Sequence, residues 1–326
     1  MIHPIPPGTR DVLPDEMREL RRLQMALLDV FESFDYSEVR TPTIEYADVV
    51  ERGDDVAPAY RFLDDRGELL ALRTDMTIPI ARLVATRFGE VEPPYRLSYV
   101  ANAYKAITPQ RAQLREFGQA GIELIGVNGA EGAAEVVEVL TKSLDAVGLE
   151  SAVIGLGEAD LWRCLLSDFS ADPALVASTS ARLASHDIVG LELELEAADD
   201  LNLEQTACLM KLIQLRGGPE VIGQARGMGG PAFEASLDSL QQTCDAITAR
   251  GGVDRVQVDL GLLRDLGYYS GSILEVYDPS VGEVIGGGGR YDGLMSKFGV
   301  DLPAAGFTLY LELIHKAQLE QDRADV

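Results

Sequence analysis

A carboxylate and an amide share one face of a strand-like segment, and together they could bind a ligand. Glu123 stands between the apolar residues Ile122 and Leu124, and Gln119 precedes it by four residues. Side chains of a strand alternate between its two faces, so Gln119 and Glu123 point the same way. A lone acidic residue on such a strand usually faces solvent, but an amide and a carboxylate on one face favour a ligand-binding role for both.

A second group of polar and aromatic residues lies nearer the C-terminus. Arg264, Tyr268 and Tyr269 precede a glycine run at residues 286–289, and Tyr291 follows that run. Taken alone, a tyrosine pair is more often part of a core. A glycine run alone is typical of a tight hairpin or of closely packed backbones.

Neither a metal centre nor a histidine base is indicated. The histidines are scattered, at His3, His186 and His315, and the cysteines are odd in number and widely spaced. This distribution matches neither a zinc site nor a disulfide framework. We therefore expect no metal ion and no cofactor.

The composition indicates an acidic, folded protein. The 326 residues include 53 Asp and Glu against 28 Lys and Arg, which gives a net charge of −25, and 46% are hydrophobic. That hydrophobic fraction can form a sizeable core. The negative charge counts against tRNA binding, because nucleic-acid affinity depends on neutralising phosphates. The sequence has no signal-peptide pattern and no apolar run near the roughly 20 residues of a membrane span, so we expect a cytoplasmic protein.

Strand-like segments flank a long helical region. Helical periodicity dominates residues 161–250, and helices are also expected over 15–34, from 77, over 135–147 and over 303–319. Strands are expected over 36–42, 69–73, 95–104, 117–125, 152–156, 256–260 and 273–277. This order predicts an α+β domain on an antiparallel sheet flanked by helices, with a helical insertion at about 161–250.

Several motifs together resemble the catalytic core of the histidyl-tRNA synthetases, which are class II aminoacyl-tRNA synthetases. The motifs are Leu72-Arg73-Thr74-Asp75-Met76-Thr77, the hairpin segment 104–110, the strand segment 117–123, Arg264 with Tyr268-Tyr269, and Gly286 to Leu294. The resemblance covers roughly residues 4–317. It implies one class II synthetase-like core domain over residues 1–326, no anticodon-binding domain, and a homodimer interface centred on residues 39–42.

The resemblance also implies a pocket for histidine. By this comparison Gln119 would bind the α-amino group, Glu123 would accept a hydrogen bond from the imidazole N–H, and Arg264 would lie near the carboxylate. The full set of implied histidine-binding residues is Asp75, Thr77, Lys105, Gln119, Glu123, Arg264, Tyr268, Tyr269 and Tyr291.

The positions that would handle ATP in a synthetase carry other residues. Lys105 replaces an arginine that bridges the carboxylate and the α-phosphate, Ile107 replaces a glutamate that meets the adenine, and Leu313 replaces an arginine that pairs with the γ-phosphate. A lysine lacks the planar fork of an arginine. Losing one preorganised contact to a transition state costs about 2–4 kcal/mol. We therefore expect no catalytic residue.

A retained amino-acid pocket without activation machinery resembles the regulatory subunits of ATP phosphoribosyltransferase, which are synthetase paralogues. The resemblance implies a histidine-sensing, catalytically inactive subunit that forms a hetero-oligomer with a short catalytic subunit in the first step of histidine biosynthesis. It would be required for the activity of that subunit and for feedback inhibition. Two alternatives stay open: a divergent histidyl-tRNA synthetase or stand-alone amino-acid ligase, and an amino-acid-binding dimer with another client.

Overall fold

A large, mostly antiparallel sheet forms the centre of the molecule. The computed structural model describes residues 5–53, 58–107, 114–252, 254–264 and 267–324. The strands within these residues are β1 (Ser37–Glu38), β2 (Ile44–Tyr46), β3 (Arg61–Leu63), β4 (Leu69–Leu72), β5 (Tyr95–Tyr104), β6 (Glu116–Ile125), β7 (Val153–Glu158), β8 (Arg216–Gly217), β9 (Val256–Asp259), β10 (Ser272–Tyr277), β11 (Val284–Arg290) and β12 (Ala304–Tyr310). The central sheet has the order β1-β5-β6-β12-β11-β10-β7-β9-β8, and a small sheet has the order β2-β4-β3.

Helices pack against the central sheet. The helices of the described chain are α1 (Pro14–Ser33), α2 (Ala47–Gly53), α3 (Thr77–Arg87), α4 (Gly129–Ala146), α5 (Leu161–Asp168), α6 (Pro173–Ala184), α7 (Ile188–Glu196), α8 (Leu203–Leu212), α9 (Glu220–Ala225), α10 (Pro231–Ala249) and α11 (Leu311–Ala324), with a 3-10 turn at Met295–Phe298.

The main core lies between the central sheet and the helices α1, α4, α10 and α11. In α1 the residues Leu20, Leu23, Leu27 and Phe31 recur at helical spacing and are buried. Phe31 meets Phe307 of β12 edge to face, with ring centroids 5.9 Å apart. On the other face, α3 and the 3-10 turn bury Tyr95, Leu97 and Tyr99 of β5 in a smaller core. The part of that face which this smaller core leaves uncovered is open for a site.

The predicted helical insertion corresponds to the helices α5 to α10. The segment also contains the two-residue strand β8, which pairs antiparallel with β9 at the edge of the central sheet. Asn202 caps α8 with the reciprocal hydrogen bonds of a capping box. The insertion is therefore joined to the central sheet through β8.

The predicted α+β fold is confirmed, and so is the antiparallel pairing of β5 with β6. The helix predicted over residues 303–319 is wrong in its first half, where Ala304–Tyr310 forms β12 and the helix begins only at Leu311. In β12 the side chains alternate: Phe307 and Leu309 face the core, while Gly306, Thr308 and Tyr310 face the other way. Pairing with β6 and β11 on both sides fixes this period of two.

The strand predicted over residues 36–42 is also too long. Only Ser37 and Glu38 pair with β5, after which the chain leaves the sheet edge and begins the small sheet at Ile44. Within the described residues, no helix is long and apolar enough to cross a membrane. In the same residues, no group of three or more His, Cys, Asp or Glu side chains is placed to hold a metal ion.

Candidate functional site

The open face of the central sheet carries a pocket of about 380 Å³. Its floor follows one cross-strand row in which Tyr99, Gly121, Thr308, Gly287 and Glu275 stand side by side on β5, β6, β12, β11 and β10. Gly121 and Gly287 have no side chains, so the side chains of Tyr99 and Arg264 lie directly over their backbone. Polar groups therefore sit low on the floor of the pocket.

The glycines of this floor are required for close approach. A methyl group on Gly287 would stand 1.4 Å from Nη1 of Arg264 and 2.7 Å from the carbonyl oxygen of Leu274. On Gly306, in the next row, a methyl group would lie 2.2 Å from Oε2 of Glu123 and 2.9 Å from Oη of Tyr291. The glycine run is thus a strand of the pocket floor and not a hairpin turn, and its missing side chains admit the polar groups.

Three tyrosines form one wall of the pocket. The ring centroids of Tyr268 and Tyr269 are 5.0 Å apart, and Tyr291 lies 5.6 Å and 6.3 Å from them, edge on. The enclosed position of Tyr269 raises its pKa to about 12. All three are lining residues. A neutral phenol can both donate and accept a hydrogen bond, so this wall suits a polar aromatic or amide-like group.

Glu123 is a buried carboxyl group, with 2% of its surface exposed. Thr77 Oγ1 donates a hydrogen bond to its Oε1 at 2.7 Å, while Oε2 has no partner among the described residues. Burial raises the pKa of Glu123 well above the usual range, the hydrogen bond from Thr77 opposes this, and nearby Asp75 adds to it. A ligand that brings an N–H or a positive charge would stabilise the ionised form.

Three further buried polar atoms in the pocket lack partners within the described chain. They are Oε1 of Gln119, Oη of Tyr291 and Oγ1 of Thr308, and Gln119 and Tyr291 are each only 3% exposed. Leaving a buried polar group unsatisfied costs about 1–3 kcal/mol. With Oε2 of Glu123 these atoms form a set of hydrogen-bonding groups that a bound molecule would satisfy.

Arg264 places a positive charge at the floor of the pocket. Its Nη1 donates to the carbonyl oxygen of Leu274 at 3.0 Å. Although enclosure alone would lower the pKa of Arg264, the neighbouring Tyr269, Tyr310 and Glu275 raise it above the ordinary value. The guanidinium is therefore charged and can pair with an anionic group of a ligand.

The opposite end of the pocket is aromatic and apolar. Tyr310 meets Phe117 edge to face, with centroids 5.8 Å apart, and Nζ of Lys105 lies 5.7 Å from the centre of the Phe117 ring. Ile107 also lines the pocket there. Arg115 donates from Nε to the carbonyl oxygen of Ile107 at 2.8 Å, which ties together the two ends of a loop whose residues 108–113 lie outside the described residues.

The structure brings the predicted site residues together. The lining includes Asp75, Thr77, Lys105, Gln119, Arg264, Tyr268, Tyr269 and Tyr291. Glu123 stands beside the pocket, bonded to Thr77. Two of these residues also make hydrogen bonds within the protein. The Thr77 hydroxyl is bonded to Glu123, and Asp75 Oδ1 accepts from the backbone N–H of Ile78 at 3.0 Å, at the start of α3.

Sequence reasoning missed several lining residues, including Tyr99, Thr308, Glu275 and Ala184. Tyr99, Thr308 and Glu275 reach the pocket through strand register, which joins residues far apart in the chain. The alternation of β5 and β10 was the only available signal for Tyr99 and Glu275. Ala184 ends α6 of the helical insertion, and nothing in its local sequence marks it.

Comparison with known proteins gives consistent results. The family model described as histidyl-tRNA synthetase matches residues 8–314. An ATP phosphoribosyltransferase regulatory subunit from Moorella thermoacetica is 41% identical over 322 residues, covering 97% of this chain and 82% of that protein. A protein of the same name from Symbiobacterium thermophilum is 37% identical and covers 97% of this chain and 80% of its own length.

Solved structures show the same relationship. An ATP phosphoribosyltransferase regulatory subunit/histidyl-tRNA synthetase from Bacillus halodurans C superposes with a TM-score of 0.89 at 30% identity, covering 97% of this chain and 83% of that chain. A histidyl-tRNA synthetase from Nostoc sp. PCC 7120 shares the fold, with a TM-score of 0.84, 21% identity and coverage of 99% and 76%. These matches confirm the class II synthetase-like fold.

The raised pKa of Glu123 predicts a specific pH dependence of stability. A carboxyl group whose pKa is higher in the folded state destabilises the fold as pH rises from the unfolded-state pKa toward the folded-state pKa. Glu123→Gln removes this titration, so the variant should gain stability over the parent at pH 7.5, and the gain should shrink toward pH 4. Urea unfolding at both pH values measures the difference. Glu116→Gln controls for the loss of an exposed carboxylate on the same strand, and an equal difference at both pH values for Glu123→Gln would contradict the prediction.

Proposed function

Because this chain belongs to the family of ATP phosphoribosyltransferase regulatory subunits, we propose that it binds L-histidine in the pocket on the open face of the central sheet. In this proposal it is a catalytically inactive, cytoplasmic subunit. It forms a hetero-oligomer with the short catalytic subunit, which needs it for activity and for feedback inhibition by histidine.

The observation that carries the proposal is the set of unsatisfied polar atoms around one cavity. Oε2 of Glu123 and Oη of Tyr291 both pack close to the backbone of Gly306, which lines the cavity. The imidazole N–H of histidine would donate to Oε2 of Glu123 from the cavity. Gln119 and Asp75 would accept from the α-amino group, and Arg264 would pair with the carboxylate. The pocket volume also falls in the range of roughly 300–1,000 Å³ found for small-molecule sites.

The phosphate-handling side of the pocket supports binding without activation. Tyr310 and Ile107 line the region where a synthetase would hold ATP, and Leu313 packs against the main core. None of these three side chains carries a positive charge for a phosphate, and Lys105 offers a point charge in place of an arginine fork. These residues count against a divergent synthetase or amino-acid ligase, and they support a role in sensing histidine.

The small sheet supports the proposed homodimer. Tyr46, Leu70 and Phe62 form one row across its three strands, and Ile44 faces Leu72 in the next row. Tyr46 is 55% exposed, Ile44 46% and Phe62 39%. Ala71, on the other face, packs with α2. This uncharged face begins two residues after Pro42, so it continues the segment that the sequence predicts for the dimer. Two copies related by a two-fold axis can bury it against itself.

Histidine binding should depend on the open floor at Gly287. Gly287→Ala adds a methyl group that would overlap the guanidinium of Arg264. The displaced guanidinium should weaken histidine binding by at least about tenfold, or about 1.4 kcal/mol. Gly282→Ala is the matched control, because its methyl group would meet no atom within 4 Å. Glu123→Ala should cost about 1.5–3 kcal/mol, since the imidazole loses a charged acceptor. Calorimetry measures all three, with circular dichroism as the check on folding.

The same titrations can refute the pocket assignment. Parent-like histidine affinity in folded Gly287→Ala and Glu123→Ala proteins would place the site elsewhere. A pyrophosphate-exchange assay with ATP and histidine should stay at background, and histidine-dependent exchange would establish a synthetase activity instead.

The regulatory role has a direct test in the activity of the short catalytic subunit. We expect little phosphoribosyltransferase activity from that subunit alone, strong activity with this chain, and reduced activity when histidine is added to the complex. By thermodynamic linkage, substrates that favour the active conformation should weaken histidine binding. If the catalytic subunit is equally active and equally sensitive to histidine without this chain, the proposed function is wrong.

The homodimer is tested at the small sheet. Replacing Tyr46 and Phe62 together by aspartate places charges on the uncharged face and should convert a dimer into a monomer in analytical ultracentrifugation. Leu203→Asp, at a position that is 89% exposed on α8, is the control and should leave the mass unchanged. A dimer that survives the double substitution would exclude this face as the interface.

A further inference from the structure

A buried carboxyl group lies on the face of the central sheet that carries the main core, and it takes no part in the proposed histidine site. Glu158 is the last residue of β7 and is 6% exposed. It shares a face of the strand with Leu156, whose side chain is in the main core. Ser272 of β10 stands opposite it in the register. Burying a carboxyl group costs free energy unless its oxygens are hydrogen-bonded, so Glu158 depends on the groups around it.

The polar groups around Glu158 form a cluster with too few hydrogen-bond donors. Oε2 of Glu158, Oγ of Ser272 and Oδ1 of Asp292 are buried and have no partner within the described residues. Arg290 supplies a positive charge to the cluster, and its Nη2 donates to Oδ2 of Asp292. A proton on Glu158 would add a donor where acceptors are unsatisfied.

The ionisation of Glu158 falls close to neutral pH. Burial raises the pKa of Glu158 to about 8. Asp160, just before α5, and Asp292 add to this rise, while Arg290 and the hydroxyl group of Ser239 on α10 oppose it. The carboxyl group is therefore mostly neutral at pH 7 and mostly ionised at pH 9.

The other charged groups on the elements packed against Glu158 are directed elsewhere. Those of the adjoining strands β9 and β10 face the opposite side of the sheet, and they are Asp259 and Glu275. On the helices, Arg163 of α5 pairs with Asp160, and Asp238 of α10 pairs with Arg226. A titration of this cluster near pH 8 therefore belongs to Glu158.

Short backbone contacts join this cluster to the tyrosine wall of the pocket. Arg290 and Asp292 flank Tyr291 in the sequence. The backbone N–H of Asp292 donates to the hydroxyl group of Ser270 at 2.8 Å, and the backbone N–H of Ser270 donates to the carbonyl oxygen of Arg290 at 2.9 Å. Because Ser270 directly follows Tyr269, the ion pair of Arg290 with Asp292 stabilises the segments that carry two tyrosines of the wall.

We propose that Glu158 is a positioning residue for the tyrosine wall, and that its charge, acting through Arg290 and Asp292, changes the affinity of the pocket for histidine. This inference rests on the proposed function. When Glu158 is neutral, Arg290 pairs with Asp292 alone and holds Tyr291 in the wall. When Glu158 releases its proton to solvent, its carboxylate attracts Arg290 and repels Asp292, which loosens that ion pair. Histidine therefore binds more tightly to the protein with a neutral Glu158, and by linkage its binding favours the protonated form.

The test compares the parent with Glu158→Gln, which stays neutral at every pH. Calorimetry should give equal histidine affinities at pH 6.5, and at pH 9 the parent should bind at least about threefold more weakly than the variant. The titrations of histidine and of Glu123 occur in both proteins, so they cancel in this ratio. Glu150→Gln, which removes an exposed carboxylate just before β7, is the control and should follow the parent at both pH values.

A second variant tests the same titration while leaving Glu158 in place. Asp160 raises the pKa of Glu158, so Asp160→Asn should lower the pH at which the histidine affinity falls. The measurement is the affinity at half-unit steps from pH 6.5 to pH 9, in the variant and in the parent. If Glu158→Gln does not fold, this comparison decides the question.

The possible outcomes separate the inference from the proposed function. If the parent binds histidine and its affinity ratio to Glu158→Gln is the same at both pH values, the role of Glu158 is structural at most, and the inference is overturned while the proposed function survives. A parent that gains affinity over the variant at pH 9, or an unshifted pH curve in Asp160→Asn, has the same meaning. A parent that binds no histidine at any pH would end both the inference and the proposed function.

Discussion

The pocket depends on how closely polar side chains can approach the backbone of the central sheet. In a sheet with a side chain at every position, Arg264 would have no place over β11, because even a methyl group on Gly287 would overlap its guanidinium. The same holds for Glu123 and Tyr291 above Gly306. Glycine in a strand weakens it, since it adds backbone entropy and removes packing. The packed helices on the other face compensate, because they bury the alternate residues Phe307 and Leu309 in the main core.

The buried polar atoms around this floor lower the stability of the folded protein when no ligand is bound. Glu123, Gln119 and Tyr291 each have a buried oxygen without a partner in the described part of the chain, and burial raises the pKa of Glu123. A protein selected for stability alone would replace such groups with apolar ones. Their presence indicates that a ligand contributes the missing hydrogen bonds, and the raised pKa makes binding of a proton-donating or cationic ligand favourable.

Much of the fold and part of the site could be predicted from local sequence patterns. The pairing of β5 with β6 follows from two strand-like segments around a polar loop, and the shared face of Gln119 and Glu123 follows from their spacing. The strand β12 was predicted as part of a helix, because the periodicity of a short apolar segment with glycine does not distinguish a strand from a helix. Tyr99 and Glu275 were missed for another reason: they face the same pocket only through the register of five strands, which sequence spacing cannot give. Ala184 enters from the insertion, whose placement depends on tertiary packing.

The two ends of the pocket differ in the groups that they offer to a ligand. Arg264 and the tyrosine wall line one end, beside Glu123, whereas Tyr310 and Ile107 line the other with aromatic and apolar surface. In the proposed function the pocket binds an amino acid without activating it, and the binding energy then favours one conformation of the chain over another. The turn at Ala184 and His186 belongs to the helical insertion and borders the cavity. A ligand that contacts this turn would stabilise one placement of the insertion beside the sheet, which would couple the pocket to a part of the chain outside it.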